Sequence, residues 1–132
     1  MSVLLRRRDF TFLLYDVFGA EQLAEQPTYN GQDRAMYDAV LDTAEKIAAD
    51  SFAPCAAELD DNEPTWDGER VSMPASLKTA LRAFYDAGFG AAAFSEDLGG
   101  MHLPYTVSQA ASSMFAIANT SASAYLMLTT AT

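Results

Sequence analysis

The carboxyl-terminal part of the chain carries no charged side chain. All 8 Lys and Arg and all 18 Asp and Glu lie between Arg6 and Asp97, which leaves residues 98–132 without any. Such a stretch has to be covered by lipid or by protein. Ala, Ser and Thr dominate it, and Gln109 and Asn119 lie within it, whereas a membrane-inserted helix needs about 20 strongly apolar residues. We therefore expect this segment to be buried against protein.

The chain ends in Thr129-Thr130-Ala131-Thr132. No Gly, Asn or Pro closes the helix that the preceding residues begin, although such residues commonly mark a helix end. We expect the sequence to be the front part of a larger protein, truncated within an element, whose remainder covers the uncharged face.

Composition limits the classes of function. With 132 residues and 50% hydrophobic side chains, the chain is expected to form one globular domain. The single cysteine, Cys55, excludes a disulfide framework and a thiolate zinc site and is typical of a reducing compartment. A net charge of -10 argues against nucleic acid and anionic lipid as partners. Arg6-Arg7-Arg8 resembles an export signal only superficially, because Asp16 interrupts the apolar region, so a cytoplasmic location is expected.

Apolar residues recur at helical spacing in the first half of the chain. The first helix is expected to be capped by Asp9 and to stop near Gly19. A second should start near Gln32 after an Asn30 cap, kink at Pro54 and continue for another turn or two. The expected inward faces are Phe10, Leu13, Leu14, Val17 and Phe18 in the first helix, and Met36, Tyr37, Val40, Leu41, Ala44, Ile47 and Ala48 in the second.

The second half of the chain predicts further helices joined by loops. Ser72 and Pro74 should open a third helix, which ends before Gly88. Pro104 should open a fourth helix, and Ser121 should cap a fifth. The expected inward side chains are Leu77, Leu81, Phe84, Val107, Ala111, Met114, Phe115 and Ala118. No β pattern competes, so the fold class is all-α: a bundle of about five or six helices with an appended N-terminal helix.

No residue pattern predicts a catalytic or metal centre. The only histidine, His102, lies in a glycine turn, where it supports neither a di-iron site nor a serine triad and is expected to face solvent. Gly88 begins a G-x-G-x-x-A string, but this string follows a helix where a dinucleotide site needs a preceding strand, so a helix C-cap is the better interpretation. The acidic residues 60–69 lack calcium-loop order and predict a solvated surface connection.

Two motifs are similar to those of acyl-CoA dehydrogenases. Gly88-Phe89 followed by S-E-D-L-G-G-M-H-L-P at residues 95–104 resembles that family's G-[FW]…P-E-E-Y-G-G-x-G-L-P signature. A-P-C-A-A-E-L-D at residues 53–60 is similar to the A-P-x-A-x-x-x-D end of a long helix of the family. The opening segment, Arg8-Asp9-Phe10 through Phe18, resembles the N-terminal extension of longer bacterial members. The resemblance covers essentially the whole chain, with residues 1–31 as extension helix and linker and residues 32–132 as the N-terminal helical domain.

The resemblance implies a function for the full-length protein. Members of the family use FAD to remove hydrogens from Cα and Cβ of an acyl-CoA thioester, and electron-transfer flavoprotein and a homo-oligomeric state are implied as well. Their catalytic glutamate comes from a C-terminal domain, and most flavin contacts come from the two domains that follow this one. No catalytic, FAD-binding or metal residue is therefore expected here, and the fragment alone is not expected to be an enzyme.

What this domain would contribute is one wall of the acyl-chain pocket. By position along the helix after Asn119, the candidate substrate-binding residues are Ser123, Ala124, Met127 and Leu128. Packing of these residues against other domains is an equally open interpretation. Ser95, Leu98 and His102 replace the family's usual proline, tyrosine and glycine. These departures leave a non-catalytic paralogue as an alternative. A stand-alone helical interaction module that binds another protein through the uncharged face of residues 98–132 is a second alternative.

Overall fold

The computed structural model describes residues 6–130, with the side chain of Thr130 excepted. Within that range the chain is an all-α bundle of six α-helices, as the sequence predicts, and no helix combines the length and the apolar content needed to cross a membrane. The α-helices are α1 (Arg7–Thr11), α2 (Arg34–Ile47), α3 (Ala56–Asp61), α4 (Ala75–Asp86), α5 (Tyr105–Ala118) and α6 (Thr120–Thr130). Shorter turns complete the helical structure: π turns at Phe12–Val17 and Ala48–Phe52, and 3-10 turns at Ala20–Glu25, Pro27–Tyr29, Ala53–Cys55, Phe89–Ala91 and Glu96–Leu98.

The first helix differs from its predicted capping and facing. Asp9 lies inside the first turn of α1 and does not cap it. The helical segment ends at Val17, near the predicted stop at Gly19, whose φ of 60° is left-handed. Leu14 is buried as expected, but Leu13, Val17 and Phe18 are exposed. The π turn over Phe12–Val17 accounts for this difference, because its wider turn brings Tyr15 inward beside Leu14 and leaves the residues further along at ordinary helical spacing outside.

Polar contacts fix this N-terminal segment to α2. The Arg7 guanidinium donates to the Asp38 backbone oxygen over 3.1 Å and pairs with the Asp42 carboxylate at 3.1 Å. The Tyr15 hydroxyl donates to the Asp38 carboxylate over 2.9 Å, and the Arg34 guanidinium lies 4.1 Å from the centre of the Tyr15 ring. Burial, together with the hydrogen bond to Asp38, raises the pKa of Tyr15 above its usual range. The N-terminal segment is therefore an integral layer of the bundle.

Helix α2 is capped by Asp33 and not by Asn30. The Asp33 backbone is extended, and its carboxylate accepts a hydrogen bond from the Met36 amide over 2.8 Å. The predicted inward stripe is confirmed, since its central members Tyr37, Leu41 and Ala44 are fully buried. The α-helical pattern is interrupted at Pro54, which lies in a 3-10 turn, and resumes as α3.

The acidic connection contains a small hairpin that the sequence analysis missed. Strands β1 (Thr65–Trp66) and β2 (Val71–Ser72) pair antiparallel, with Thr65 opposite Ser72. Between them the Asp67 carboxylate accepts hydrogen bonds from the amides of Glu69 and Arg70, which lowers the pKa of Asp67. This local turn pairs two short segments without any alternating apolar pattern, so periodicity does not reveal it.

Helix α5 lies at the centre and packs against α2 and α6. Its predicted inward residues are buried, and Phe115 joins an aromatic cluster with ring-centre distances of 5.0 Å to Phe52, 5.0 Å to Phe84 and 5.2 Å to Phe89. Much of the uncharged segment is thus covered by the bundle itself. Its outward side still exposes large apolar side chains: Leu98, Tyr105, Ile117, Tyr125, Met127 and Leu128.

Candidate ligand-binding cleft

An uncharged cleft of about 360 Å³ opens between the loop that follows α4, helix α5 and helix α6. Phe84 and Phe89 bound it on the side of the aromatic cluster. No charged side chain is among the described residues that line it. The lining residues are Phe84, Phe89, Gly90, Ala91, Ala92, Ala93, Phe94, Tyr105, Ser108, Gln109, Ser112, Ser113, Ala116, Ser123, Leu126 and Met127.

The paired-glycine loop shapes one edge of this cleft. Gly99 has a left-handed φ of 79°, and a Cβ on Gly100 would lie 2.0 Å from the Phe94 backbone oxygen, so only glycine fits that position. Beyond the turn, the His102 amide donates to the Phe94 oxygen over 2.8 Å and the Leu103 amide to the Ala92 oxygen over 2.9 Å. These bonds hold the 92–94 segment against the start of α5.

His102 was predicted to face solvent, but it is half-buried. Its ring lies 5.5 Å from the Tyr29 ring, and its backbone oxygen accepts a hydrogen bond from the Gln32 side chain over 2.8 Å. The N-terminal linker covers it, which sequence spacing cannot anticipate. His102 also has a φ of 52°, a value that favours the glycine found at this position in the family signature. The contacts of His102 with Tyr29 and Gln32 join this loop to the N-terminal part of the chain.

Asn119 caps α6, a role that the sequence analysis gave to Ser121. The Asn119 side-chain oxygen accepts a hydrogen bond from the Ala122 amide over 2.9 Å, and its amide group donates to the Phe52 oxygen over 3.1 Å. Asn119 is buried, so the start of α6 is tied to the turn that follows α2. This connection fixes which face of α6 is turned to the cleft.

Two of the four predicted pocket residues line the cleft. Ser123 is only 4% exposed, and Met127 lies one turn further along at the rim. Ala124 and Leu128 lie on the outer face of α6, are exposed and do not line the cleft. The structure therefore brings Ser123 and Met127 together with residues from α5 and separates them from the other two.

The opposite wall was not identified from the sequence. Helix α5 contributes Ser108, Gln109, Ser112 and Ser113, whose spacing places them along one side of the helix. In the sequence, these residues form a polar stripe on an otherwise apolar helix. That stripe alone does not predict a cleft, because the helix and the loop that face it are not known from the sequence.

Gly88 and Cys55 both have structural roles. Gly88, just past the end of α4, has the left-handed φ of 81° expected of a helix-ending glycine, and a Cβ on Gly90 would lie 2.6 Å from the Tyr85 ring. Cys55 is buried and donates to the Phe52 oxygen, and burial raises the pKa of its thiol. Among residues 6–130 no cluster of three or more His, Cys, Asp and Glu side chains could hold a metal ion.

Comparison with known proteins adds no assignment. No protein-family model matches the chain, and no curated protein matches it. The cleft and the motifs beside it are therefore the features that bear on function.

Proposed function

We propose that the chain is the N-terminal helical domain of an FAD-dependent acyl-CoA dehydrogenase and that its cleft holds part of the acyl chain. The main observation in support of this proposal is the position of the cleft. Ser123 and Met127 line it together with residues 89–94, which belong to the same segment as the motif that resembles the family. A motif known only from sequence thus adjoins a ligand-sized space.

The cleft has the chemistry that an aliphatic chain requires. Phe84, Phe89 and Leu126 supply apolar surface, and each methylene moved from water onto such surface gains about 0.8 kcal/mol. Its volume of about 360 Å³ lies within the roughly 300–1,000 Å³ range of small-molecule sites. The uncharged lining favours a neutral chain over an ionised one, since an unpaired charge is costly to bury.

The proposal assigns no step of the reaction to this chain, because the family resemblance places the catalytic glutamate and most flavin contacts in other domains. Its proposed task is to hold the tail of the substrate and keep water from it. Dehydrogenation would depend on FAD and a glutamate supplied by other parts of the protein. Electron-transfer flavoprotein as partner, a homo-oligomeric state and a cytoplasmic location belong to the same proposal.

A blocked-cleft variant tests the ligand site. Ser112 is exposed at the cleft on α5, so Ser112→Trp would place an indole in the cleft without removing a core side chain. We expect the 132-residue chain to bind a fluorescent fatty-acyl probe, and Ser112→Trp to weaken that binding at least about tenfold. Ser121→Trp, on an exposed position of α6 outside the cleft, is the matched control. Equal binding by both variants, or none by the wild type, would contradict the proposal.

The gene provides a second test. If the reading frame continues past codon 132, the enzyme proposal requires a following β domain and a distal helical domain with a glutamate. A stop codon at that point would instead favour the interaction module.

The interaction module has one observation in its favour. Phe12, Leu13, Val17 and Phe18 are between 46% and 64% exposed on the N-terminal segment. Several large apolar side chains exposed within one short segment are typical of a surface that contacts another protein.

A further inference from the structure

We infer that Ser123 makes the cleft selective for an acyl chain that carries a neutral hydroxyl substituent over a plain alkyl chain. This inference rests on the proposed function, because it names the class of substrate that the same cleft would take.

The observation behind it is an unsatisfied hydroxyl. Ser123 is 4% exposed, and its Oγ has no hydrogen-bond partner among the described residues. The Ser123 amide already donates to the Asn119 backbone oxygen over 3.0 Å, so the backbone of this turn is satisfied while the side chain is not. The great majority of buried polar groups in proteins are paired, and Ser123 is an exception that lines a ligand-sized cleft, so we take the missing partner to be a ligand group.

The surroundings limit what that partner can be. A serine hydroxyl donates one hydrogen bond and accepts others, and a ligand hydroxyl can answer it in either direction. A carboxylate or ammonium group is disfavoured because none of the described lining residues is charged. On the facing helix, Ser108 and Ser112 also line the cleft and extend the neutral hydrogen-bonding surface around the same space.

A plain chain and a hydroxylated chain would differ at this one point. A methylene packed over Ser123 would leave its Oγ buried without a partner, whereas a hydroxyl at that position pairs with it. Sites built to bond a ligand hydroxyl reject the analogue that lacks it, because their own polar groups then remain unpaired.

The experiment compares thioesters that share one head group. Binding of S-octanoyl-N-acetylcysteamine, its monohydroxylated positional isomers and an ω-carboxylated analogue to the 132-residue chain is measured by calorimetry. We expect one hydroxylated isomer to bind about tenfold more tightly than the plain ester, and the carboxylated analogue to bind more weakly than both. Ser123→Ala should abolish the preference between the hydroxylated isomer and the plain ester, while Ser121→Ala on the exposed side of α6 should retain it.

The outcomes separate the two proposals. Binding of the plain ester without any hydroxyl preference, or a preference that survives in Ser123→Ala, overturns the selectivity and leaves the acyl site standing. Failure of every ester to bind overturns both.

Discussion

The Asn119 side chain donates a hydrogen bond to the backbone oxygen of Phe52 over 3.1 Å and so joins the start of α6 to the turn after α2. The same side chain accepts from the Ala122 amide over 2.9 Å. One buried residue therefore satisfies a helix start and a carbonyl from a distant part of the chain.

Asn119→Ala should destabilise the fold by about 1.5–2.5 kcal/mol. Loss of an N-cap costs about 1 kcal/mol. Loss of the buried hydrogen bond to the Phe52 oxygen, which keeps the Cys55 thiol as a donor, costs about 0.5–1.5 kcal/mol more. Denaturant unfolding measures the change, with Ser121→Ala as the control that should stay within about 0.5 kcal/mol of the wild type. Equal losses of stability at the two positions would contradict the assignment of Asn119 as the N-cap of α6.

Alkaline pH should destabilise the protein through Cys55. Burial raises the pKa of this thiol in the folded state. Below the unfolded-state pKa of about 8.5 both states keep the proton and the contribution is constant. As the pH rises from there through the folded-state pKa, the unfolded chain releases the proton first, so the free energy of unfolding falls. Cys55→Ala should show a shallower decline over that range in denaturant titrations, and parallel curves for the two proteins would disprove the contribution.

At position 102, a glycine variant should be more stable than an alanine variant, which is the reverse of the usual order of stability. Because its φ is 52°, His102→Gly should be more stable than His102→Ala by about 1 kcal/mol, although both lose the contact with Tyr29. The control is Thr79 on the exposed side of α4, where the alanine variant should be the more stable by about the same amount. Thermal unfolding of the four variants decides the matter, and the same order at both positions would argue against a left-handed residue 102.

The isolated chain should self-associate through the outer face of α6. Ala124, Tyr125 and Leu128 are exposed there, and monomers rarely leave large apolar patches in water. Leu128→Asp should shift light scattering towards the monomer, while Thr79→Asp adds the same charge on α4 and should not. A wild-type chain that remains monomeric at high concentration would refute this contact.

The sequence predicted the helices better than their ends. Helical spacing predicts the buried stripe of α2 around Tyr37 and Leu41 and the inward face of α5. This spacing depends only on the order of apolar residues along the local sequence. The caps were misassigned at Asn30 and Ser121 because Asp33 and Asn119 lie close by and are equally able to cap. The choice between such neighbours depends on which backbone is extended and on partners such as Phe52, and neither is written in the local sequence.

The candidate site was only partly predictable for a related reason. Position along α6 singled out Ser123 and Met127, which line the cleft, along with Ala124 and Leu128, which do not. Distinguishing the two pairs requires the rotation of α6 about its axis, and Asn119 fixes that rotation through a contact 67 residues away in sequence. The facing serines of α5 acquire meaning only after that contact forms.

The hydrogen bond from Gln32 to the His102 backbone spans 70 residues, and the one from Asn119 to Phe52 spans 67. Both connect the part of the chain before the acidic hairpin to the part after it. Contacts of such separation form late and slowly, because a long loop must close before they contribute. Cleavage within residues 60–69 would therefore leave two pieces, neither with its own complete set of partners. The two halves should gain and lose structure in a single cooperative step, with no populated half-folded intermediate.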